Sequence, residues 1–182
     1  TYDFVDEVSR DSPAPGGGSV AALAGALGAA LGTMVANLSA TKGPQAANHD
    51  ALAGIAERGQ AVKEALVAGV DADTSAFDGV IAAMRMPKDS DEQRATRDAA
   101  LETGYRAATA VPLATVGQCR DALAVCGEMA PLMDAGMASD VGSGALLAHA
   151  GARAAGYNVR INLKEIPDET FCTETSAALE ML

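Results

Sequence analysis

The stretch that decides the fold runs from Ser12 to Thr41, SPAPGGGSVAALAGALGAALGTMVANLSAT, without a single charged residue. Its first seven residues are proline and glycine punctuation. The remainder, from Ser19 to Leu38, is mostly alanine, leucine and glycine. Alanine has the best helix propensity and is depleted in strands, so this segment reads as a helix. It is long enough to cross a membrane, yet it lacks aromatic belts and flanking basic clusters. The reading is a central helix buried on all sides. Gly25, Gly28 and Gly32 follow a small-residue spacing that lets neighbouring helices, or a second subunit, approach closely.

The rest of the chain shares this bias. There are 41 alanines among 182 residues, aromatics make up 3%, and hydrophobic residues still reach 49%. A core built from Ala, Leu, Val and Met argues against a β-sandwich, a barrel or a disulfide-stapled mini-domain. The length suits one domain, spanning 1–182. A net charge of -11 argues against nucleic acid and against an anionic membrane surface. Three cysteines, Cys119, Cys126 and Cys172, show no framework spacing, which points to a reducing, cytoplasmic setting. The acidic N-terminus is not a signal peptide.

Working outward from the central segment, Tyr2 to Arg10 reads as a short amphipathic helix with Phe4, Val5 and Val8 on one face. Lys42-Gly43-Pro44 makes a turn. A long helical pattern from about Ala46 to Met86 carries Leu52, Ile55, Val62, Leu66, Val70, Phe77 and Val80 at intervals of three and four. Pro87 stops it, and Ser90 with Asp91, Glu92 and Gln93 caps the next helix. That helix reaches about Cys126 and is expected to kink at Pro112. Cys119 and Cys126 lie two turns apart on one face and are expected to fill the core. Pro131 to Gly136 is a break, Ser139-Asp140 opens a helix toward Asn162, and a last helix begins near Asp168. The expected fold is an all-α bundle of five to seven helices around a buried Ala/Gly-rich central helix.

Candidate chemistry is sparse. There is no metal-binding cysteine or histidine motif, and His49 and His149 lie far apart in sequence. The sharpest local feature is the turn Gly16, Gly17, Gly18 with Ser19. Three glycines can take positive φ and bring bare backbone to a ligand, and Ser19 can cap the helix. The competing reading is a tight turn between packed helices. Asp71 and Asp73 interrupt an apolar helical face. Residues two apart point in different directions, so one faces out and the other in, where desolvation suits a carboxyl to proton transfer. Asp73 shares its face with Phe77 and is the better inward candidate. Lys88, Arg94 and Arg97 form a small basic island. Asn158 and Asn162 lie one turn apart within an apolar run, and buried amides need partners. They either orient another helix or face a polar ligand.

Taken in order, these residues resemble the cyclodeaminase/cyclohydrolase family of folate one-carbon enzymes. The matching segments are Ser12 to Ala22, Asp71-Ala72-Asp73 with Ala76-Phe77, Ala83 to Lys88, Ala110 to Leu113, Ser139-Asp140, and Asn158 to Leu163. The resemblance implies an all-helical homodimer whose active site lies near the subunit contact. It implies no metal or bound cofactor, the tetrahydrofolate derivative being the substrate. The reaction expected is formiminotetrahydrofolate cyclodeamination, with methenyltetrahydrofolate cyclohydrolysis as its rival on the same scaffold. A non-catalytic helical dimer that binds a folate or another small molecule is the reading from a different class.

The resemblance assigns the catalytic carboxylate to Asp73, with Asp71 as fallback. It assigns substrate contacts to Gly16, Gly17, Gly18 and Ser19, and further contacts to Lys42, Lys88, Asp140, Asn158 and Asn162. A separate formiminotransferase is the partner it implies, since this chain lacks that half. Two departures stand out. The segment Thr41 to Gln45 offers one lysine and no aromatic where relatives carry a basic cluster, and Gly136-Met137 replaces a Gly-Asn pair before Ser-Asp. The first puts tight binding of a polyglutamate tail in doubt.

Overall fold

The computed structural model describes residues 2–42 and 48–182, with side chains from 3–41 and 48–182. The expected turn at Lys42-Gly43-Pro44 falls largely outside the described residues. Six α-helices make up the described chain: α1 (Tyr2–Val8), α2 (Gly17–Lys42), α3 (His49–Met84), α4 (Asp91–Met129), α5 (Ala138–Leu163) and α6 (Glu169–Met181), with a 3₁₀ turn at Ala135–Met137. No strand occurs among the described residues. The all-α expectation and the order of elements hold. The short first helix ends at Val8 rather than Arg10, and it leaves Val5 and Val8 exposed, so its apolar face is not packed into the core.

Helices α2 to α5 form an up-down-up-down bundle, with α2 packed against α3, α4 and α5. By length and composition α2 is the one described helix that passes for a membrane span, and most of that stretch is buried within the bundle. The glycine seam explains why it packs so closely. A β-carbon on Gly28 would lie 2.6 Å from the Gly144 carbonyl oxygen, and one on Gly151 would lie 2.7 Å from the Ala21 carbonyl oxygen. Here α2 and α5 touch backbone to backbone. Toward α4, the missing β-carbons of Gly25 and Gly32 make room for Cys119 and for Val125 with Cys126. Both cysteines are buried, and burial pushes the Cys119 thiol up to about 11, far above the range where a thiolate nucleophile forms. They act as small apolar side chains.

Two of the expected helix starts are met by side chains. Ser90 and Gln93 form a reciprocal capping box at α4. Asp168 caps α6 by accepting from the Thr170 and Phe171 amides, both at 3.0 Å. Asp168 also pairs with Arg106 at 2.7 Å, and the Arg106 guanidinium lies 4.4 Å from the Phe171 ring centroid, so α6 is tied to α4 by charge and by ring stacking. Ser139 and Asp140 do not cap α5. The helix begins at Ala138 with Met137 at its cap position and no side-chain bond, because the 3₁₀ turn feeds straight into it.

Helix α4 runs unbroken from Asp91 through a fully buried Pro112 to Met129. A proline inside a helix has no N–H for the carbonyl four residues back, here that of Ala108. The structure supplies a substitute donor, since Asn162 Nδ2 on α5 donates to the Ala108 oxygen at 2.7 Å. Asn162 thereby does what one of its two expected readings required, orienting one helix on another.

Candidate active site

Four chain segments converge at one end of the bundle. They are the entry to α2, the second half of α3, the first half of α4 and the end of α5. Between them lies a cleft of about 310 Å³. Gly16, Gly17 and Gly18 form one wall; Asp73 and Phe77 come from α3, and Asn158, Ile161 and Asn162 from α5. Tyr105 and Ala108 on α4 and Glu165 just beyond α5 complete it.

The glycine turn works differently from the expectation. None of the described glycines has positive φ. Helical bonding already begins with Val20 N–H donating to the Gly16 carbonyl at 3.0 Å, so Ser19 lies inside the first turn and cannot be its cap. The hydroxyl turns inward instead. Ser19 is fully buried, and its Oγ donates to Asp73 Oδ2 at 2.9 Å, with Thr74 Oγ1 at 3.3 Å. Gly18 supplies the space. A β-carbon there would lie 2.1 Å from Asp73 Oδ1, well inside any real contact. The glycine is needed for close approach rather than for an unusual dihedral. Asp73 is thus clamped at one oxygen by a buried hydroxyl, close to the positive end of the α2 dipole.

Asp73 is half-buried at the cleft rather than sealed in the core, while Asp71 is exposed and takes no part in the lining. The structure separates the two carboxylates as the helical geometry requires. Asn158 donates its amide to the Ala154 carbonyl at 2.9 Å and lies against Gly17, where a β-carbon would be 3.4 Å from Nδ2. Burial, and then the negative charge of Glu165, raise the Tyr105 phenol above its ordinary value. Its proton is held, which makes Tyr105 a hydrogen-bond donor at the cleft wall.

Three expected contacts do not join this cleft within one chain. Lys88 is exposed in the link between α3 and α4, where its carbonyl accepts from Arg94 at 3.0 Å. Asp140 sits in the first turn of α5, roughly 27 Å of helix away from Asn158. Lys42 closes α2 roughly 36 Å from Gly18, and its side chain is outside the described residues. Conversely, Tyr105 and Glu165 escaped the sequence reading. Glu165 continues the face of Asn158 and Asn162 at the helical interval of three to four, and Tyr105 shares a face with Ala108 and Pro112. Periodicity carried both signals. Among the described residues, no three His, Cys, Asp or Glu side chains gather as a metal-binding group.

The sequence model of the formiminotransferase-cyclodeaminase family matches residues 1–181. The chain is 36% identical over 179 residues to the methenyltetrahydrofolate cyclohydrolase of Methylorubrum extorquens, covering 98% of this chain and 86% of that protein. It is 37% identical to the formimidoyltransferase-cyclodeaminase of Gallus gallus, covering 98% of this chain and 33% of that one. The chain therefore spans about a third of the bifunctional relative. The crystal structure of a formiminotetrahydrofolate cyclodeaminase from Thermotoga maritima superposes with a TM-score of 0.87 at 30% identity, covering 99% of this chain and 86% of that chain.

Proposed function

The chain belongs to the formiminotransferase-cyclodeaminase family, and on that basis we propose that its end-of-bundle cleft converts 5-formiminotetrahydrofolate to 5,10-methenyltetrahydrofolate and ammonia. The observation that carries this reading is the Asp73 carboxylate, clamped by Ser19 and laid over Gly18 at the cleft. In the reaction N10 attacks the formimino carbon, a tetrahedral carbon forms between two nitrogens, and the bond to the amino nitrogen breaks. N10 loses a proton and the departing ammonia gains one. One carboxylate within reach of both nitrogens can carry that proton, and such proton transfer typically contributes about 10²–10⁴-fold. Ser19 fixes which Asp73 oxygen is engaged and leaves the other for the proton. Phe77 and Ile161 offer apolar walls to a flat pterin, and Tyr105 a donor at its rim. No cofactor enters the scheme.

A second reading is favoured by the length match to the cyclohydrolase relative, which this chain nearly spans. There water attacks the methenyl carbon and the same carboxylate takes its proton; the C–N5 bond then breaks as the hydroxyl proton passes to N5, giving 10-formyltetrahydrofolate. The purified chain should be given each substrate while the methenyl chromophore is followed. Appearance of the chromophore with ammonia release marks the first reaction; accelerated loss marks the second. Silence toward both at high enzyme concentration leaves only a non-catalytic binder. The Asp73→Asn variant is expected to lose turnover by about 10²-fold or more, with helicity unchanged; full turnover would remove Asp73 from its role.

Assembly belongs to the same proposal. Val20, Leu27 and Met34 recur every seven residues on the outer face of α2 and are 41%, 50% and 39% exposed. A homodimer formed by antiparallel pairing of two such faces would bring Lys42 and Asp140 of one subunit toward the cleft of the other. That arrangement reconciles their expected role with their position at the far end of the bundle. The three free cysteines support a reducing, cytoplasmic setting. The formimidoyltransferase step named in the animal relative is not assigned to this chain, and a separate formiminotransferase is its expected supplier.

A further inference from the structure

A second cleft, of about 480 Å³, opens on the opposite side of the bundle from the outer face of α2, between α4, α5 and α6. Its charge is out of character for this protein. The chain carries 24 acidic residues against 13 lysines and arginines, yet this cleft is lined by Arg120, Arg153, Arg160 and His149, with no Asp or Glu in its lining. On α5, His149, Arg153, Gly156 and Arg160 follow intervals of four, three and four, so they form one strip roughly 16 Å long. The floor is apolar, with Leu123 and Leu179.

Two details show how the strip is kept open to a ligand. Arg120 is engaged by Asp121 at 2.8 Å, but among the described residues neither Arg153 nor Arg160 has a carboxylate partner. Arg160 folds back along α5 over Gly156 at the cleft. A β-carbon on Gly156 would lie 3.2 Å from the Arg160 guanidinium nitrogen. Unpaired guanidiniums brought together repel one another, and an anion bound across them removes that repulsion while satisfying their forked donors. Tyr157, 63% exposed at the rim, adds a flat aromatic face.

We propose that this cleft is a binding site, separate from the Asp73 cleft, for a small molecule bearing two or more phosphate or carboxylate groups. The test titrates the full chain by calorimetry at low ionic strength with pyrophosphate and, in parallel, with citrate. Sodium chloride at matched ionic strength is the control. The wild type is expected to bind at least one of them at one site per chain, the preferred anion identifying phosphate or carboxylate as the group recognised. The Arg153→Gln/Arg160→Gln variant should bind at least ten-fold more weakly, with folate turnover unchanged, while Arg85→Gln, just past the end of α3 and outside the cleft lining, keeps full affinity. Failure of both anions to bind the wild type overturns the proposal, as does equal affinity in the double variant or an equal loss in Arg85→Gln. Should the double variant not fold, Arg153→Gln and Arg160→Gln are titrated singly. Weaker binding in either supports the site, and unchanged binding in both overturns it.

Discussion

Two groups of glycines on the same helix serve opposite ends. Gly25, Gly28 and Gly32, in the middle of α2, face Cys119, the Gly144 carbonyl and Val125 of the same chain, and each missing β-carbon is replaced by core. Gly18, at the start of α2, faces a carboxylate in an open cleft. One group closes a gap between helices; the other places an ionisable group where a substrate can reach it. Composition cannot tell them apart, since both are glycines in one uncharged stretch of sequence. What differs is the neighbour, which is backbone and sulfur in one case and the Asp73 oxygen in the other.

An alanine at each class of glycine separates the two roles, and the largest effect is expected at Gly18. Its new methyl would occupy the place of Asp73 Oδ1, 2.1 Å away. The carboxylate has to swing out of its clamp, and displacement of a reacting group by about 1 Å can cost about 10²-fold in rate. Turnover of Gly18→Ala should therefore fall by about 10²-fold with only a small change in thermal midpoint. Gly28→Ala meets the Gly144 carbonyl at 2.6 Å, and backbone cannot rotate away. Overpacking of this kind costs about 1–3 kcal/mol, read as a lower denaturation midpoint, with activity of the folded fraction retained. Gly79 on α3, with nothing within 4 Å, is the reference. There alanine should stabilise by about 0.5–1 kcal/mol through helix propensity alone. If Gly18→Ala behaved like Gly28→Ala, losing stability and keeping turnover, the distinction would fail.

The helices and much of the cleft are legible in the sequence, and what is not legible there has a common cause. Helix number, the Ser90 cap, the start of the last helix near Asp168 and the inward turn of Asp73 all follow from local spacing, and local spacing survives into the fold. From local sequence Ser19 is a cap, because it follows three glycines. Whether a hydroxyl caps its own helix or reaches another depends on what stands opposite, here Asp73 fifty-four residues away. Spacing puts Tyr105 on the face of Ala108 and Glu165 on that of Asn162, but which of these faces meets the cleft is set by how α4 and α5 pack on α2. The unbroken run of α4 through Pro112 rests on a distant partner of the same kind. Proline removes a donor locally, and a distant asparagine supplied one.

That last exchange yields a prediction intermediate in size. Asn162 belongs to the cleft wall, yet its amide is spent on the Ala108 carbonyl that Pro112 leaves open. Asn162→Ala orphans a carbonyl beside a buried proline, which costs about 1–3 kcal/mol. If the amide serves the proline, the cost depends on the proline being there. In a Pro112→Ala background the helix regains its own N–H donor, and the penalty of Asn162→Ala should drop to less than half. A double-mutant cycle by chemical denaturation reads this directly. An equal penalty in both backgrounds would return Asn162 to the substrate-facing role and move it from the seam side of the comparison to the cleft side.

The smallest effect concerns the corner that carries Glu165, where an ion pair from Arg106 to Asp168 is added to the packing of α6. The hydrogen bond from Arg106, reinforced by the Phe171 amide, holds the Asp168 carboxyl below its ordinary value. A carboxyl depressed in the folded state contributes stability above its unfolded pKa, near 3.9, and that contribution is lost as pH falls through the lower folded value. Asp168→Asn keeps a competent helix cap and removes only the charge. Near neutral pH the variant should melt slightly below the wild type, and the gap should close as pH falls below about 4. Amide exchange in α6 should rise over the same range in the wild type and change less in the variant. A gap that stays constant to low pH would mean that the cap, not the Arg106 pair, fixes α6. The cleft wall at Glu165 would then rest on packing alone, like the glycine seam.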